Sequence, residues 1–202
     1  FRQATQIKEA VILSTCNRFE IYAAGNMESA GRISASGAPS AGVSDAGQAP
    51  SLTVLDDGSL SESDRLGAIG DMAFSVKARN IREALLVIAG DNLFDFSLEP
   101  FAEKFQKINK PLVGLYEFPR WNHLSKYGIV TLDNRDRFRE MAEKPERPKS
   151  NLVSMCLYAF PAESLHRIDE YLSGPDPRDT PGNYIRWLMT QSEVFGHRFR
   201  GT

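Results

Sequence analysis

The tripeptide Gly90-Asp91-Asn92 is the first place where this sequence could do chemistry, because it directly follows the continuous apolar run of residues 84–89. That run predicts a buried strand, and ligands of open α/β sheets bind at the carboxyl ends of the strands. A carboxylate there could hold Mg²⁺, which takes one or two protein oxygens and keeps its other positions for water and phosphate. The alternative is that Asp91 forms a turn or caps a helix.

Strands and helices are predicted to alternate around this tripeptide. The pattern predicts strands at residues 52–55, 84–89 and 112–116, a helix from near Ser61 to residues 79–80, and another helix after Ser97. The Ser61 hydroxyl can cap the first turn of its helix. The order strand, helix, strand, helix, strand is typical of a doubly wound, mostly parallel sheet covered on both faces. Shorter elements follow, with strands predicted at residues 128–132, 138–142 and 152–160 and a third helix opened by Pro161.

The first 51 residues have a different composition. Residues 10–14 predict a buried strand, and residues 17–24 predict the start of a helix. From residue 25 to residue 51, Gly, Ala, Ser and Pro dominate, and there is too little apolar area to offset the cost of ordering. We therefore predict a strand-helix segment at 1–24, a flexible low-complexity connection at 25–51 and one domain at 52–202.

Length and charge exclude several classes of function. A chain of 202 residues suits one α/β domain, and its 24 basic and 26 acidic residues are mixed along the chain, which argues against a nucleic-acid groove. Its apolar stretches are far shorter than the ~20 residues that cross a bilayer, and residues 1–6 do not resemble a secretion signal. Cys16 and Cys156 allow one disulfide at most, so a reduced cytoplasmic setting is expected.

Four stretches occur in order along residues 52–202, and together they resemble a known family. They are Asp64-Arg65-Leu66-Gly67-Ala68-Ile69-Gly70-Asp71, Leu86-Val87-Ile88-Ala89-Gly90-Asp91-Asn92-Leu93-Phe94, Lys126-Tyr127-Gly128-Ile129-Val130 and Glu143-Lys144-Pro145. The set is similar to the sugar-phosphate nucleotidyltransferases, the group of glucose-1-phosphate thymidylyltransferase and mannose-1-phosphate guanylyltransferase. The resemblance implies the nucleotide-diphospho-sugar transferase fold. It also implies attack of a sugar 1-phosphate on the α-phosphate of a nucleoside triphosphate, with release of pyrophosphate.

The resemblance assigns the nucleotide side of the site to three residues. Asp91 would ligate Mg²⁺, and Asn92 would orient the nucleotide beside it. Gly67 would lie close to the base or ribose, where a side chain would collide. A glycine inside a helical pattern costs ~1 kcal/mol relative to alanine, which favours a close approach at Gly67.

The sugar side of the site is assigned in the same way. Gly128 would approach the sugar ring, Glu143 would accept hydrogen bonds from sugar hydroxyls, and Lys144 would meet the sugar phosphate as a mobile point charge. Purely structural roles are open for the same residues. Gly128 could simply begin a strand, and Glu143 and Lys144 could form an ordinary solvated pair.

The sequence departs from the family pattern at both ends. Members of the family begin with a strand and a Gly-rich loop that holds the triphosphate, and neither precedes Phe1. The chain stops at Thr202, just before the family would supply a second metal-binding Asp. We therefore expect a domain truncated at both ends, with inefficient turnover and with open strand edges that favour a homo-oligomer. Met155-Cys156 replaces a Thr-Gly pair that is common in the family.

Residues 9–23 resemble a different family, through the motif of glutamyl-tRNA reductase that carries its nucleophilic cysteine. By that resemblance Cys16 would take the glutamyl group from tRNA as a thioester. No Gly-rich nicotinamide fingerprint follows, and a lone Cys after a strand is usually a small buried apolar residue. Three interpretations are open: a divergent transferase, a fusion that carries a reductase fragment, and an inactive domain that binds a sugar nucleotide or regulates a partner.

Overall fold

The computed structural model describes residues 7–15, 18–25, 51–90, 92, 95–119 and 121–199, and of residues 7–15, 18–25 and 51–52 it describes only backbone. The strands and helices of this part of the chain are β1 (Ile7–Thr15), β2 (Arg18–Gly25), β3 (Ser51–Asp56), α1 (Gly67–Ala78), β4 (Leu85–Ala89), α2 (Glu99–Ile108), β5 (Leu112–Glu117), β6 (Gly128–Leu132), β7 (Phe138–Glu143), β8 (Leu152–Phe160), α3 (His166–Leu172), α4 (Pro181–Gln191) and β9 (Phe195–Phe199). No helix in these ranges is long and apolar enough to cross a membrane.

The strands form one sheet in the order β3-β1-β2-β4-β8-β5-β9, and β6 pairs with both β7 and β8. The predicted α/β class is confirmed. The sheet is mixed rather than mostly parallel, however, because β8 runs antiparallel between β4 and β5 and β2 runs antiparallel beside β4. The parallel pairs among the described strands are β1 with β3 and β5 with β9.

Helices cover both faces of the sheet, and β4 shows why its sequence is continuously apolar. Leu85 and Val87 pack on one face, in a core that includes residues of α1, α3 and α4. Leu86 and Ile88 pack on the other face, against α2. Consecutive side chains of a strand point to opposite faces, so a strand buried on both sides needs an apolar residue at every position. The doubly wound arrangement is confirmed.

The predicted start of the first helix is wrong, since α1 begins at Gly67 and not near Ser61. The Asp64 carboxylate accepts hydrogen bonds from the backbone N–H groups of Leu60 at 3.0 Å and Ser61 at 2.7 Å. The Ser61 hydroxyl donates to the same carboxylate at 2.6 Å. These contacts, that of the hydroxyl above all, lower the pKa of Asp64 to about 2. Ser61 therefore closes a turn before the helix and does not cap it.

The helix predicted at residues 17–24 is also wrong, because Arg18–Gly25 is strand β2, paired antiparallel with β1. The apolar Phe19 and Ile21 alternate with Arg18 and Glu20, which is the period of a strand and not of a helix. Strand β2 also pairs with β4, so that side of β4 is not an open edge. Most of the predicted flexible connection falls on residues 26–50, which lie outside the described residues.

No element was predicted for residues 181–199, where α4 and β9 are found. Helix α4 has Pro181 in its first turn, a favoured place for proline. Tyr184, Ile185 and Leu188 of α4 are buried in the larger core. Strand β9 pairs in parallel with β5. Helix α4 thus packs against β7, whereas β9 extends the sheet beyond β5.

Candidate functional site

Gly128 and Glu143 face each other in the β6–β7 hairpin, although 15 positions separate them in the sequence. The antiparallel register pairs Gly128 at the start of β6 with Glu143 at the end of β7. The next residue of β6, Ile129, pairs with Val153 of β8. The hairpin therefore holds the Glu143 side chain beside the edge of β8.

The Glu143 carboxylate lies between two glycines. A Cβ atom added to Gly128 would lie 3.1 Å from Glu143 Oε2 and 2.8 Å from Met141 Cε. A Cβ atom added to Gly182, in the first turn of α4, would overlap Glu143 Oε2 outright. The side chains of Met141 and Glu143 thus fill the space beside both glycines, with Met141 nearer at Gly128 and Glu143 nearer at Gly182. No role was assigned to Gly182 from the sequence, although the family resemblance extends over Pro181-Gly182-Asn183-Tyr184-Ile185.

Opposing effects act on the ionisation of Glu143, which is about half-buried. Burial raises the pKa of the carboxyl group, whereas attraction by the Lys144 ammonium and by the Arg186 guanidinium lowers it, and burial has the larger effect. Lys144 follows directly in the left-handed region, with φ of +47°. Its backbone N–H donates to the Tyr127 carbonyl oxygen at 3.0 Å, and its side chain is exposed. A carboxylate and an ammonium group are therefore adjacent in sequence at the end of β7.

Asn92 connects the end of β4 to the same region through β8. Its backbone N–H donates to the Ala89 carbonyl at 3.1 Å, and its side-chain amide donates to the Met155 carbonyl at 2.5 Å. Ser154, the neighbour of Met155, has its Cβ atom 3.7 Å from the position that a Cβ of Gly128 would occupy. Asn92 thus contacts Met155, whereas Gly128 lies beside Ser154 and faces Glu143 across the β6–β7 hairpin.

Asp91, the predicted metal ligand, lies outside the described residues, and so does Cys16. Among residues 51–90, 92, 95–119 and 121–199, no group of three or more His, Cys, Asp or Glu side chains could hold a metal ion. Glu20 of β2 pairs with Ala89, the last residue of β4. Thr15 of β1 pairs with Arg18 of β2, so both residues lie at the end of the sheet where β4 ends. The end of β1, the start of β2 and the end of β4 therefore lie together at one end of the sheet.

Gly67 has a structural reason to be glycine that the sequence did not show. It is the first residue of α1, with φ of +77°. A Cβ atom there would lie 3.1 Å from the backbone carbonyl carbon and oxygen of Arg178. The same Arg178 oxygen accepts a hydrogen bond of 3.0 Å from the N–H of Ile69. The close approach expected at Gly67 is made by the protein's own backbone, and a contact with base or ribose stays a prediction.

Cys156 interrupts the regular pairing of β8 with β5. Val113 pairs with Tyr158, whereas Leu115 pairs with Ser154, so β8 has extra residues opposite Gly114. Within this bulge Cys156 has φ of +53°. Left-handed backbone costs a residue with a side chain about 1–2 kcal/mol, and glycine adopts it freely. The thiol also raises the pKa of the buried Tyr158 hydroxyl, second to the effect of burial itself.

We expect the Cys156→Gly variant to be more stable than the Cys156→Ala variant by about 1 kcal/mol, the reverse of the usual order in a strand. Both variants remove the thiol, so their difference isolates the backbone conformation. Urea unfolding measures the two free energies. At Ala159, which lies in β8 without a positive φ, glycine should instead be the less stable residue. A Cys156→Ala variant as stable as the glycine variant would contradict the strain at this position.

Comparison with known proteins gives two family matches. The model described as nucleotidyl transferase matches residues 53–197. The model described as glutamyl-tRNAGlu reductase, N-terminal domain, matches residues 1–63. The first match covers more than half of the chain and includes every described residue of the candidate site.

Similar curated proteins and solved structures agree with the longer match. Glucose-1-phosphate adenylyltransferase of Clostridium acetobutylicum is 29% identical over an alignment of 127 residues, which covers 59% of this chain and 32% of that protein. The enzyme of the same name from Lachnospira eligens is 33% identical over 121 residues, which are 59% of this chain and 28% of that protein. The chain thus spans about a third of the length of these curated relatives.

Two crystal structures share the fold. Apo UDP-glucose pyrophosphorylase superposes with a TM-score of 0.61 at 19% identity, covering 76% of this chain and 57% of that one. UDP-glucose pyrophosphorylase complexed with UDP-glucose superposes with a TM-score of 0.61 at 18% identity, covering 76% of this chain and 60% of that one. With the family model matched over residues 53–197, the chain belongs to the nucleotidyl transferase family.

Proposed function

We propose that residues 52–202 form a nucleotidyltransferase domain that joins a nucleoside triphosphate and a hexose 1-phosphate, giving a nucleotide sugar and pyrophosphate. The observation that carries the proposal is that Asn92 contacts Met155 of β8, while Gly128, which faces Glu143, lies beside the neighbouring Ser154. These residues come from three separate motifs, and a shared ligand is the simplest reason for all three motifs to meet at one place. Membership of the family supports the same reaction class.

In the proposed reaction a phosphate oxygen of the sugar 1-phosphate attacks the α-phosphorus of the triphosphate. The bond from that phosphorus to the bridging oxygen breaks, and pyrophosphate leaves with the electron pair. Such a reaction asks the protein mainly to position its substrates and to neutralise charge. The Glu143 carboxylate would orient the sugar by accepting hydrogen bonds from its hydroxyls, and Lys144 would attract its phosphate. Asn92 would orient the nucleotide.

Magnesium is proposed as the metal of this site, with Asp91 as its protein ligand. When bound, Mg²⁺ would neutralise charge on the phosphate oxygens. A single carboxylate is compatible with Mg²⁺, because this ion keeps water and phosphate in its other positions. The described residues add no cluster of ligands, so the proposal depends on Asp91 alone.

The reaction can be tested by pyrophosphate release from the full chain with Mg²⁺. The names of the curated relatives make ATP and glucose 1-phosphate the first pair to try, followed by the other three nucleotides. We expect release with one nucleotide, lost in Asp91→Ala and retained in Asp95→Ala, which changes an exposed carboxylate four residues away. Tight binding of a sugar nucleotide without any release would favour the inactive, binding or regulatory domain instead. The absence of both binding and release would contradict the proposal.

A second candidate function concerns residues 1–63, because the reductase domain model matches them. The Cys16 thiolate would attack the ester carbonyl of glutamyl-tRNA, forming a thioester and releasing the tRNA hydroxyl. Radiolabelled glutamyl-tRNA should then label the protein through a bond that hydroxylamine cleaves. The label should be lost in Cys16→Ser and kept in Cys156→Ser. An unlabelled protein would remove this candidate.

A further inference from the structure

Arg186 lies on the face of α4 that packs against Glu143. Gly182 marks that face, because a Cβ atom at Gly182 would overlap the Glu143 carboxylate. Residues four apart in a helix lie one above the other, and helical side chains lean towards the amino end. The Arg186 side chain therefore covers the surface over Gly182, which has no side chain of its own. Arg186 itself is exposed to solvent.

The charged and titratable groups that face Glu143 come from three elements. Lys144 follows it at the end of β7, Arg186 of α4 lowers its pKa by attraction, and Glu143 itself raises the pKa of the Tyr158 hydroxyl of β8, whereas β6 presents Gly128. Within the described part of the chain no side chain donates a hydrogen bond to the Glu143 carboxylate. Its charge is therefore supported from longer range, by the ammonium and the guanidinium, and its oxygens are available to a ligand.

We propose that Arg186, one helical turn from Gly182, is a positioning residue whose positive charge favours the charged form of the Glu143 carboxylate, the form that accepts hydrogen bonds from sugar hydroxyls. The identity of the ligand rests on the proposed function, whereas the action of Arg186 on Glu143 does not. A protonated carboxyl group would present a donor where an acceptor is required, and burial favours that protonated form.

Lys144 would have a second partner in the proposed function once a sugar phosphate is bound. In the proposed function its ammonium pairs with the phosphate, whose negative charge also disfavours a second anion nearby. Arginine remains charged at any pH at which the protein is folded. Arg186 thus supplies a positive charge that the substrate does not use. Lys144 would thus bind the sugar phosphate, whereas Arg186 would act on the Glu143 carboxylate.

The first test measures the ionisation of Glu143 by NMR titration of the full chain with labelled glutamate carboxyl carbons, assigned with Glu143→Gln. We expect a higher pKa for Glu143 in Arg186→Gln, because the opposing burial effect is then less compensated. The pKa should be unchanged in Arg186→Lys and in Arg82→Gln, which removes an exposed arginine distant in sequence from the site. Glutamine is a good helix former, so α4 should persist. An unchanged Glu143 pKa in Arg186→Gln would overturn the inference.

The second test measures glucose 1-phosphate affinity by calorimetry from mildly acidic to neutral pH. Arg186→Gln should weaken binding roughly two- to fivefold, in line with a solvent-screened charge pair. The loss should grow towards acidic pH and be restored by Arg186→Lys. In the Glu143→Gln background the same substitution should have no further effect. If the wild-type chain binds no sugar phosphate while the NMR shift is present, the proposed function fails and the action of Arg186 on Glu143 stands.

Discussion

Replacing Gly182 with alanine is expected to leave the protein folded and to weaken hexose 1-phosphate binding by tenfold or more. The new Cβ atom would occupy the position of Glu143 Oε2, and the carboxylate is the end of a flexible side chain that can swing away. Alanine is also a better helix residue than glycine, by up to ~1 kcal/mol. Hydrogen bonds to a charged group contribute about 1.5–3 kcal/mol, so displacement of Glu143 should reduce affinity by roughly ten- to a hundredfold.

Calorimetry and urea unfolding on the same preparation separate the two effects. Asn183→Ala is the matched control, because it changes the next residue of α4 and leaves the space beside Glu143 unchanged. It should bind as the wild-type chain does. A Gly182→Ala variant with wild-type affinity would show that the Glu143 carboxylate is not used by the sugar phosphate.

Replacing Gly67 with alanine is expected to reduce the free energy of unfolding by about 3 kcal/mol. Part of this loss is the left-handed backbone at φ of +77°, which costs about 1–2 kcal/mol for a residue with a side chain. The remainder comes from crowding, because the Cβ would lie 3.1 Å from backbone atoms of Arg178, which cannot move as a side-chain end can. Overpacking of this kind typically costs about 1–3 kcal/mol.

Gly58 provides a control with almost the same backbone conformation. Its φ is +75°, and a Cβ there would meet nothing within 4 Å. Gly58→Ala should therefore lose only the conformational part, about 1–2 kcal/mol. Equal losses of stability in the two variants, measured by urea unfolding, would show that the contact between Gly67 and Arg178 is not tight.

Elements buried on both faces and the helix after Ser97 could be predicted from the sequence, whereas the start of α1 could not. The apolar run of β4 has no periodicity to misread, and β4 was predicted to within one residue. The start of α1 was misplaced because Ser61 and Asp64 satisfy the signals of a helix cap while forming a local turn. Short polar side chains can cap a helix or close a turn. Only the contact of Gly67 with Arg178, which is distant in sequence, decides between these two structures.

Site residues that lie within the sequence motifs could be predicted, whereas residues that reach the site through tertiary packing could not. Gly128 and Glu143 were found as separate motifs, and the β6–β7 register then placed them opposite each other. No role was predicted for Gly182 or Arg186, because α4 reaches Glu143 only through tertiary packing. The orientation of Asn92 towards Met155 likewise depends on β8 lying beside β4. The pairing of distant strands and the packing of α4 thus determine contacts that the local sequence pattern does not show.

The most direct test of the proposed transferase site is calorimetric titration of glucose 1-phosphate into the full chain and into Glu143→Gln, with Glu146→Gln as a control at an exposed carboxylate nearby. The wild-type and control chains should bind the sugar phosphate equally, and Glu143→Gln should bind it about tenfold more weakly, as expected when the charged acceptor is lost. Equal affinity of Glu143→Gln and the wild-type chain would contradict a sugar site at Gly128, Glu143 and Lys144.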